Sequence, residues 1–132
     1  MGKVENYTSW AEKIAADQSH GYSQANRWGT PDYDCSSLVI NALEQAGIPA
    51  KTNGATYTGN MYPVLTKLGF KDVKSKVNLA TGSGLKRGDI LLNVVHHTAI
   101  YCGNGKIVHA RGQSFGSSAP GDQGQEIAVT NY

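Results

Sequence analysis

The spacing of apolar residues changes near Phe70, and this change restricts the possible fold more than any other feature of the sequence. Before Phe70, helical spacing predicts a first helix from Ser9 to about Asp17, opened by the capping-box sequence SWAE, and a later helix from about Gly59 to Leu68. After it come short strand-like runs separated by Gly-rich turns: FKDVKSKV, DILLNVV, HTAIYC, KIVHA and EIAVTNY. Helices followed by antiparallel strands predict an α+β domain.

The length and composition of the chain indicate one globular domain. Its 132 residues fit a single domain spanning residues 1–132, since domains commonly contain roughly 100–150 residues. The contents of 39% hydrophobic and 17% charged residues are typical of a folded rather than a disordered protein. A formal charge of +2 and the absence of a dense basic stripe argue against nucleic acid as a partner. Lys71, Lys74 and Lys76 are interpreted as the solvated face of a strand.

The sequence contains no signal for insertion into a membrane or for secretion. No stretch approaches the roughly 20 apolar residues of a membrane-spanning helix. The N-terminal segment MGKVENYTSW lacks the apolar middle part of a secretory signal. Three origins therefore stay open: a cytosolic protein, a protein that leaves the cell by another route, or a domain excised from a longer chain.

Cys35 lies where a polar segment meets the clearest predicted helix, whose apolar positions are Leu38, Val39, Ala42, Leu43 and Ala46. Asp34 is the expected N-cap, so Cys35 falls in the first helical turn. There the helix dipole and unpaired backbone N–H groups are expected to lower the pKa of the thiol and to bind an oxyanion. Two interpretations remain open: a nucleophile, or a small buried residue at a helix start. Cys35 and Cys102 are both expected to be reduced.

The segment HTAIYCGNGKIVHA carries His97 and His109 on either side of a GNG turn. A three-residue loop at 103–105 would pair Tyr101 with Ile107. Because side chains alternate along a strand, the two histidines would then be diagonal neighbours on one face of the hairpin.

This hairpin suggests partners for Cys35. The opposite face, with Ile100 and Val108, is predicted to face the core. On the histidine face, His97 would take the proton of Cys35, and His109 would hydrogen-bond the other ring nitrogen of His97. The alternative is a pair of ordinary strand histidines.

Three segments together, YDCSSLVINALEQAGI, LKRGDILL and HTAIYCGNGKIVHA, resemble the NlpC-type papain-like cysteine peptidases that cut the bacterial cell wall. The loop DQSHGYSQANRWGTPDYDCSS is similar to the bacteriophage peptidoglycan-hydrolase branch, the catalytic modules of endolysins. The resemblance covers about residues 20 to 110. It implies a papain-like fold, with N-terminal helices packed on an antiparallel sheet and the catalytic cysteine at a helix N-terminus. It also implies Cys35 as nucleophile, His97 as base and His109 as third polar residue.

The sequence departs from the family pattern around the expected oxyanion site. Ser37 follows Asp-Cys-Ser where the family often has Gly, and residues 26–30 lack the family's upstream tyrosine. Tyr22 is the candidate to replace that tyrosine. Candidates for substrate or oxyanion binding are therefore Tyr22, Trp28, Asp34 and Ser36.

The resemblance implies a monomeric cysteine hydrolase that acts on bacterial peptidoglycan without a cofactor. A stem-peptide bond after D-glutamate or D-glutamine is the first expectation, and the amide between N-acetylmuramic acid and L-alanine is the alternative. A non-catalytic wall-binding module is a different class of function. A zinc site built from Cys35, Cys102, His97 and His109 is disfavoured, since neither Cys-x-x-Cys nor His-Glu-x-x-His spacing occurs.

The resemblance also bears on location. Endolysins often leave the host through holin pores, which is consistent with the missing signal. A phage-derived chain would therefore occupy the host cytoplasm and then the cell wall, and any other would be extracellular or wall-associated. Lytic enzymes often carry a separate wall-binding module, so this domain is a candidate fragment of a longer endolysin.

Overall fold

The computed structural model describes residues 2–16, 33–78, 80–93, 97–110 and 127–132. The helices are α1 (Lys3–Ala16), α2 (Cys35–Gln45) and α3 (Thr58–Lys67), and a short 3-10 turn covers Lys74–Lys76. The strands are β1 (Ile90–Asn93), β2 (His97–Gly103), β3 (Lys106–Ala110) and β4 (Ile127–Asn131). They form one antiparallel sheet in the order β1-β2-β3-β4. The predicted α+β class is therefore confirmed, and within the described ranges no helix has the length and apolarity to cross a membrane.

The core lies between the sheet and the helices α1 and α2. Ile40 and Leu43 of α2 pack in one buried cluster with Ile100 and Val108, which confirms that this face of the hairpin is the core face. Leu38 belongs to a second buried cluster, with Tyr33, Ala110 and Ile127. Full burial of a side chain such as Leu43 contributes roughly 1.5–3 kcal/mol relative to exposure. This packing fixes the start of α2 against the sheet.

Arg87 joins α1 to the sheet. Its Nε donates to Oε1 of Glu5 at 2.8 Å, and its Nη2 donates to Oε1 of Glu12 at 2.7 Å. Its Nη1 donates to the carbonyl oxygen of Cys102 in β2 at 2.9 Å. Glu5 and Glu12 lie about two turns apart on one helix face, and the hydrogen bonds from Arg87 lower the pKa of both carboxyls. One guanidinium thus fixes the position of α1.

The first helix begins earlier than the sequence predicts. Helix α1 starts at Lys3, and the predicted start, Ser9, lies inside it. The Ser9 hydroxyl donates to the carbonyl oxygen of Glu5 at 2.5 Å, a backbone bond that serine makes within helices rather than at their starts. The predicted end at Asp17 lies outside the described residues.

The strand predicted over residues 70–77 is wrong, because this segment contains the 3-10 turn. Oδ1 of Asp72 accepts a hydrogen bond from the backbone nitrogen of Lys74 at 3.1 Å. Such a local side-chain bond competes with the backbone pairing of a strand. Lys71, Lys74 and Lys76 are all exposed, so their solvation was predicted correctly although their secondary structure was not.

Candidate active site

The start of α2 is fixed by the side chain of Asp34. Its Oδ1 accepts hydrogen bonds from the backbone nitrogen of Ser37 at 2.8 Å and from the hydroxyl of Ser36 at 3.1 Å. The Ser37 hydroxyl in turn accepts from the backbone nitrogen of Asp34 at 2.9 Å, which completes a capping box. The predicted N-cap is confirmed. Asp34 and Ser36 are buried, so both side chains contribute to the structure of the helix start.

Cys35 is the first residue of α2 and is half-buried. Its thiol lies against the backbone of Thr98, the residue after His97 in β2, so the helix start and this strand meet at the sulfur. Burial raises the pKa of the thiol, and the negative charge of Asp34 raises it further. Hydrogen bonds from the backbone of Thr98, Ser36 and Cys35 itself oppose this shift but do not reverse it.

The lowered thiol pKa expected from the sequence is therefore wrong in direction. The helix start does supply backbone donors, as expected, but removal of the sulfur from water favours the neutral thiol. The neighbouring carboxylate of Asp34 acts in the same direction, and both effects outweigh the donors.

The two strand histidines are in contact. Nε2 of His97 lies 2.7 Å from Nδ1 of His109, and the ring centroids are 5.0 Å apart at an interplanar angle of 67°. Burial lowers the pKa of His97 from its usual value of 6.5, which favours the neutral imidazole. The predicted contact between these histidines is present. It uses Nε2 of His97, so Nδ1 of His97 is the ring nitrogen outside this contact.

The turn between β2 and β3 differs from the predicted three-residue loop. Gly103 pairs with Lys106, so Asn104 and Gly105 form a two-residue turn, and a β-bulge lies between Tyr101 and Gly103. Both turn residues have positive φ, 54° and 72°, as a type I′ hairpin turn requires. The bulge compensates for the shorter loop, so the predicted pairing of Tyr101 with Ile107 is retained.

Thr130 of β4 is a member of this cluster that the sequence analysis missed. Its Oγ1 lies 3.0 Å from Nε2 of His109. His109 pairs with Ala128, so Thr130 is its diagonal neighbour on the same face of the sheet. Strand alternation in EIAVTNY puts Ala128 and Thr130 on one face, but the sequence gives no register between β3 and β4.

The remaining residues singled out in the sequence add no described contact to this cluster. Tyr22 and Trp28 lie outside the described residues. Cys102 is a free cysteine whose thiol pKa is raised to about 12, by burial first and then by the charge of Glu12. In the part of the chain that the structure describes, no three His, Cys, Asp or Glu side chains are grouped as a metal site would require.

Helices packed on one antiparallel sheet, with Cys35 at a helix start and two paired histidines on the sheet, give an α+β domain of the papain-like (NlpC-type) fold class. The chain belongs to the endolysin-like domain family, which matches residues 29–108.

Two solved structures are similar to this one. The first is Rv1477, a hypothetical invasion protein of Mycobacterium tuberculosis, with a TM-score of 0.57 and 23% identity. The second is a mutant of the Resuscitation Promoting Factor Interacting protein RipA, with a TM-score of 0.58 and 23% identity. Each comparison covers 98% of this chain but 57% of the other, and at this identity the likeness shows the fold alone. No curated protein matches the chain.

Proposed function

We propose that this domain is a cysteine hydrolase that cleaves an amide bond in bacterial peptidoglycan, with Cys35 as nucleophile and His97 as base. The contact of 2.7 Å between His97 and His109 is the observation that carries the proposal, because the backbone of Thr98, the residue after His97, contacts the Cys35 thiol. Membership of the endolysin-like domain family supports the wall as substrate. His109 is a positioning residue, because it acts on the substrate only through His97.

We propose that the Cys35 thiol and the His97 imidazole are both neutral at rest. Burial raises the pKa of the Cys35 thiol and lowers the pKa of His97, so both shifts favour a neutral thiol beside a neutral imidazole. The proton is therefore transferred as the sulfur attacks, rather than in advance. A bound substrate brings its carbonyl carbon to the sulfur, and formation of the S–C bond makes the thiol proton acidic enough to move to His97.

The reaction begins when the sulfur of Cys35 bonds to the carbonyl carbon and its proton moves to Nδ1 of His97. The carbonyl oxygen becomes an oxyanion, which backbone N–H groups at the start of α2 stabilise. Collapse of this intermediate breaks the C–N bond, and His97 returns the proton to the leaving amine. Water then attacks the thioester, with its proton passing through His97 to the released sulfur.

The bond that we propose is a stem-peptide bond after D-glutamate or D-glutamine. The amide between N-acetylmuramic acid and L-alanine can be cleaved by the same chemistry, so the termini of the products decide between the two. The proposed place of action is the cell wall, reached from the host cytoplasm through holin pores if the chain is phage-derived.

The test is digestion of purified Gram-positive walls, followed by turbidity and mass spectrometry of the released fragments. Wild type, Cys35→Ala and the matched control Cys102→Ala are compared, since Cys102 is the second free thiol. We expect release by wild type and Cys102→Ala, and none by Cys35→Ala. Equal release by all three would refute the role of Cys35. No release from any wall tested, by a folded wild type, would favour a binding module.

A further inference from the structure

The cluster of His97 and His109 continues onto β4 through Thr130. Nε2 of His97 meets Nδ1 of His109, and Nε2 of His109 meets Oγ1 of Thr130 at 3.0 Å. The Thr130 hydroxyl also lies 3.5 Å from the carbonyl oxygen of Asn131, a separation longer than an ordinary O–H···O hydrogen bond. We propose that the Thr130 hydroxyl is a positioning group, which accepts the His109 proton and so keeps His97 able to act as a base. This inference rests on the proposed function.

The tautomers of the two imidazole rings depend on each other through these contacts. A neutral imidazole carries one ring proton, so each ring donates through one nitrogen and accepts through the other. His97 can take the thiol proton at Nδ1 only if its own proton is on Nε2. That proton is then donated to Nδ1 of His109, and His109 must carry its proton on Nε2, facing Thr130.

Hydrogen bonds donated in the opposite direction would make His97 inactive as a base. If Thr130 donated to Nε2 of His109, His109 would carry its proton on Nδ1 and donate it to Nε2 of His97. His97 would then be protonated on Nδ1 and could not accept the proton of Cys35. A threonine hydroxyl can accept as well as donate, so Thr130 can accept the Nε2 proton of His109, and this is the direction that keeps His97 active.

Three variants test this role. Thr130→Val keeps the shape of the side chain and removes the hydroxyl, and Thr130→Ser retains the hydroxyl. Thr66→Val is the matched control, because the Thr66 hydroxyl donates only within α3, to the carbonyl oxygens of Tyr62 and Pro63 at 3.0 Å. The measurements are kcat and KM on purified walls, and NMR of the imidazole nitrogens in isotope-labelled protein at mildly alkaline pH.

We expect wild-type His109 to carry its proton on Nε2, and Thr130→Val to mix the two tautomers. We also expect kcat of Thr130→Val to fall about two- to tenfold, the effect of one neutral hydrogen bond, with little change in KM. Thr130→Ser should restore both the signals and kcat, and Thr66→Val should change neither.

Two results would overturn the inference: a proton on Nδ1 of His109 in the wild type, which needs no variant, or unchanged ring signals in a folded Thr130→Val. The two proposals fail separately. Activity retained by Cys35→Ala refutes the proposed function, whereas the ring signals still decide the role of Thr130.

Discussion

Substitutions of Asp34 can separate two effects of its carboxylate: stabilisation of the start of α2 and the raised pKa of the Cys35 thiol. Its carboxylate accepts hydrogen bonds from the Ser37 backbone nitrogen and the Ser36 hydroxyl, at 2.8 and 3.1 Å, in a buried position. Its negative charge also contributes to the raised pKa of Cys35. Asp34→Ala removes both the acceptor and the charge, whereas Asp34→Asn removes the charge and keeps an oxygen at Oδ1.

The two variants should therefore have different effects on stability. Loss of an N-cap acceptor costs about 1 kcal/mol in the free energy of unfolding, with an upper range of about 2 kcal/mol. We expect Asp34→Ala to lose this amount or slightly more, because its two donors are buried. Asparagine is about as good an N-cap as aspartate, so Asp34→Asn should lose less. In both variants, removal of the charge should move the pKa of Cys35 downward from that of the wild type.

Urea unfolding measures the free energies, and the ultraviolet absorbance of the thiolate against pH measures the thiol pKa. The titration uses a Cys102→Ala background, so that Cys35 is the only thiol. An unchanged or higher thiol pKa in Asp34→Asn would refute the role given to the Asp34 charge. Equal stability of Asp34→Ala and the wild type would show that the cap does not determine the start of α2.

Two further predictions concern pH and the core. The value of kcat/KM should fall below pH 6.5 and above pH 9.0, because His97 must be neutral and Cys35 must be protonated. Burial extends the pH range in which each group keeps this state. The free energy of unfolding should also decrease below pH 6.5, where the unfolded chain gains a proton at His97 before the folded chain does, and above pH 9.0, where it loses one at Cys35 first. An acid limb of the activity profile above pH 6.5 would contradict the shift of His97, and an alkaline limb below pH 9.0 would contradict that of Cys35. Leu38→Ala should lower the free energy of unfolding by about 2–5 kcal/mol in urea, since Leu38 is fully buried. The control Val129→Ala, at a side chain that is 44% exposed, should cost far less, and equal costs would contradict the described core.

The parts of the site that depend on local sequence were predictable. An N-cap is decided by neighbouring residues at fixed spacing, so Asp34 followed from the sequence alone. The contact between His97 and His109 depends on one short hairpin, whose glycines and asparagine restrict the turn to a few types. The wrong turn length was harmless, because the bulge before Gly103 keeps the predicted register.

The parts that depend on tertiary packing were not predictable. The direction of the Cys35 pKa shift follows first from burial of the sulfur, which depends on packing between segments that are distant in the sequence. Thr130 reaches His109 only through the register of β3 and β4, which are joined by a long connection whose length gives no register. The hydrogen bonds of Arg87 to two glutamates of α1 were not predictable either, since contacts between remote segments leave no periodic pattern in the sequence.

The proposed series of hydrogen bonds crosses the sheet from β2 to β4. It has one group on each strand: His97, His109 and Thr130. Diagonal neighbours on adjacent strands lie about 7–8 Å apart, and the two imidazole rings reach across this gap to a centroid distance of 5.0 Å. A slip of one residue in the pairing of β2 with β3 would turn one histidine to the opposite face of the sheet. It would also bring Ile100 or Val108 out of the core. Burial of these two apolar side chains therefore selects the same register that brings the rings together. The hydrogen bond between the histidines needs little stabilisation of its own, because the hydrophobic core already fixes the two strands that carry the rings.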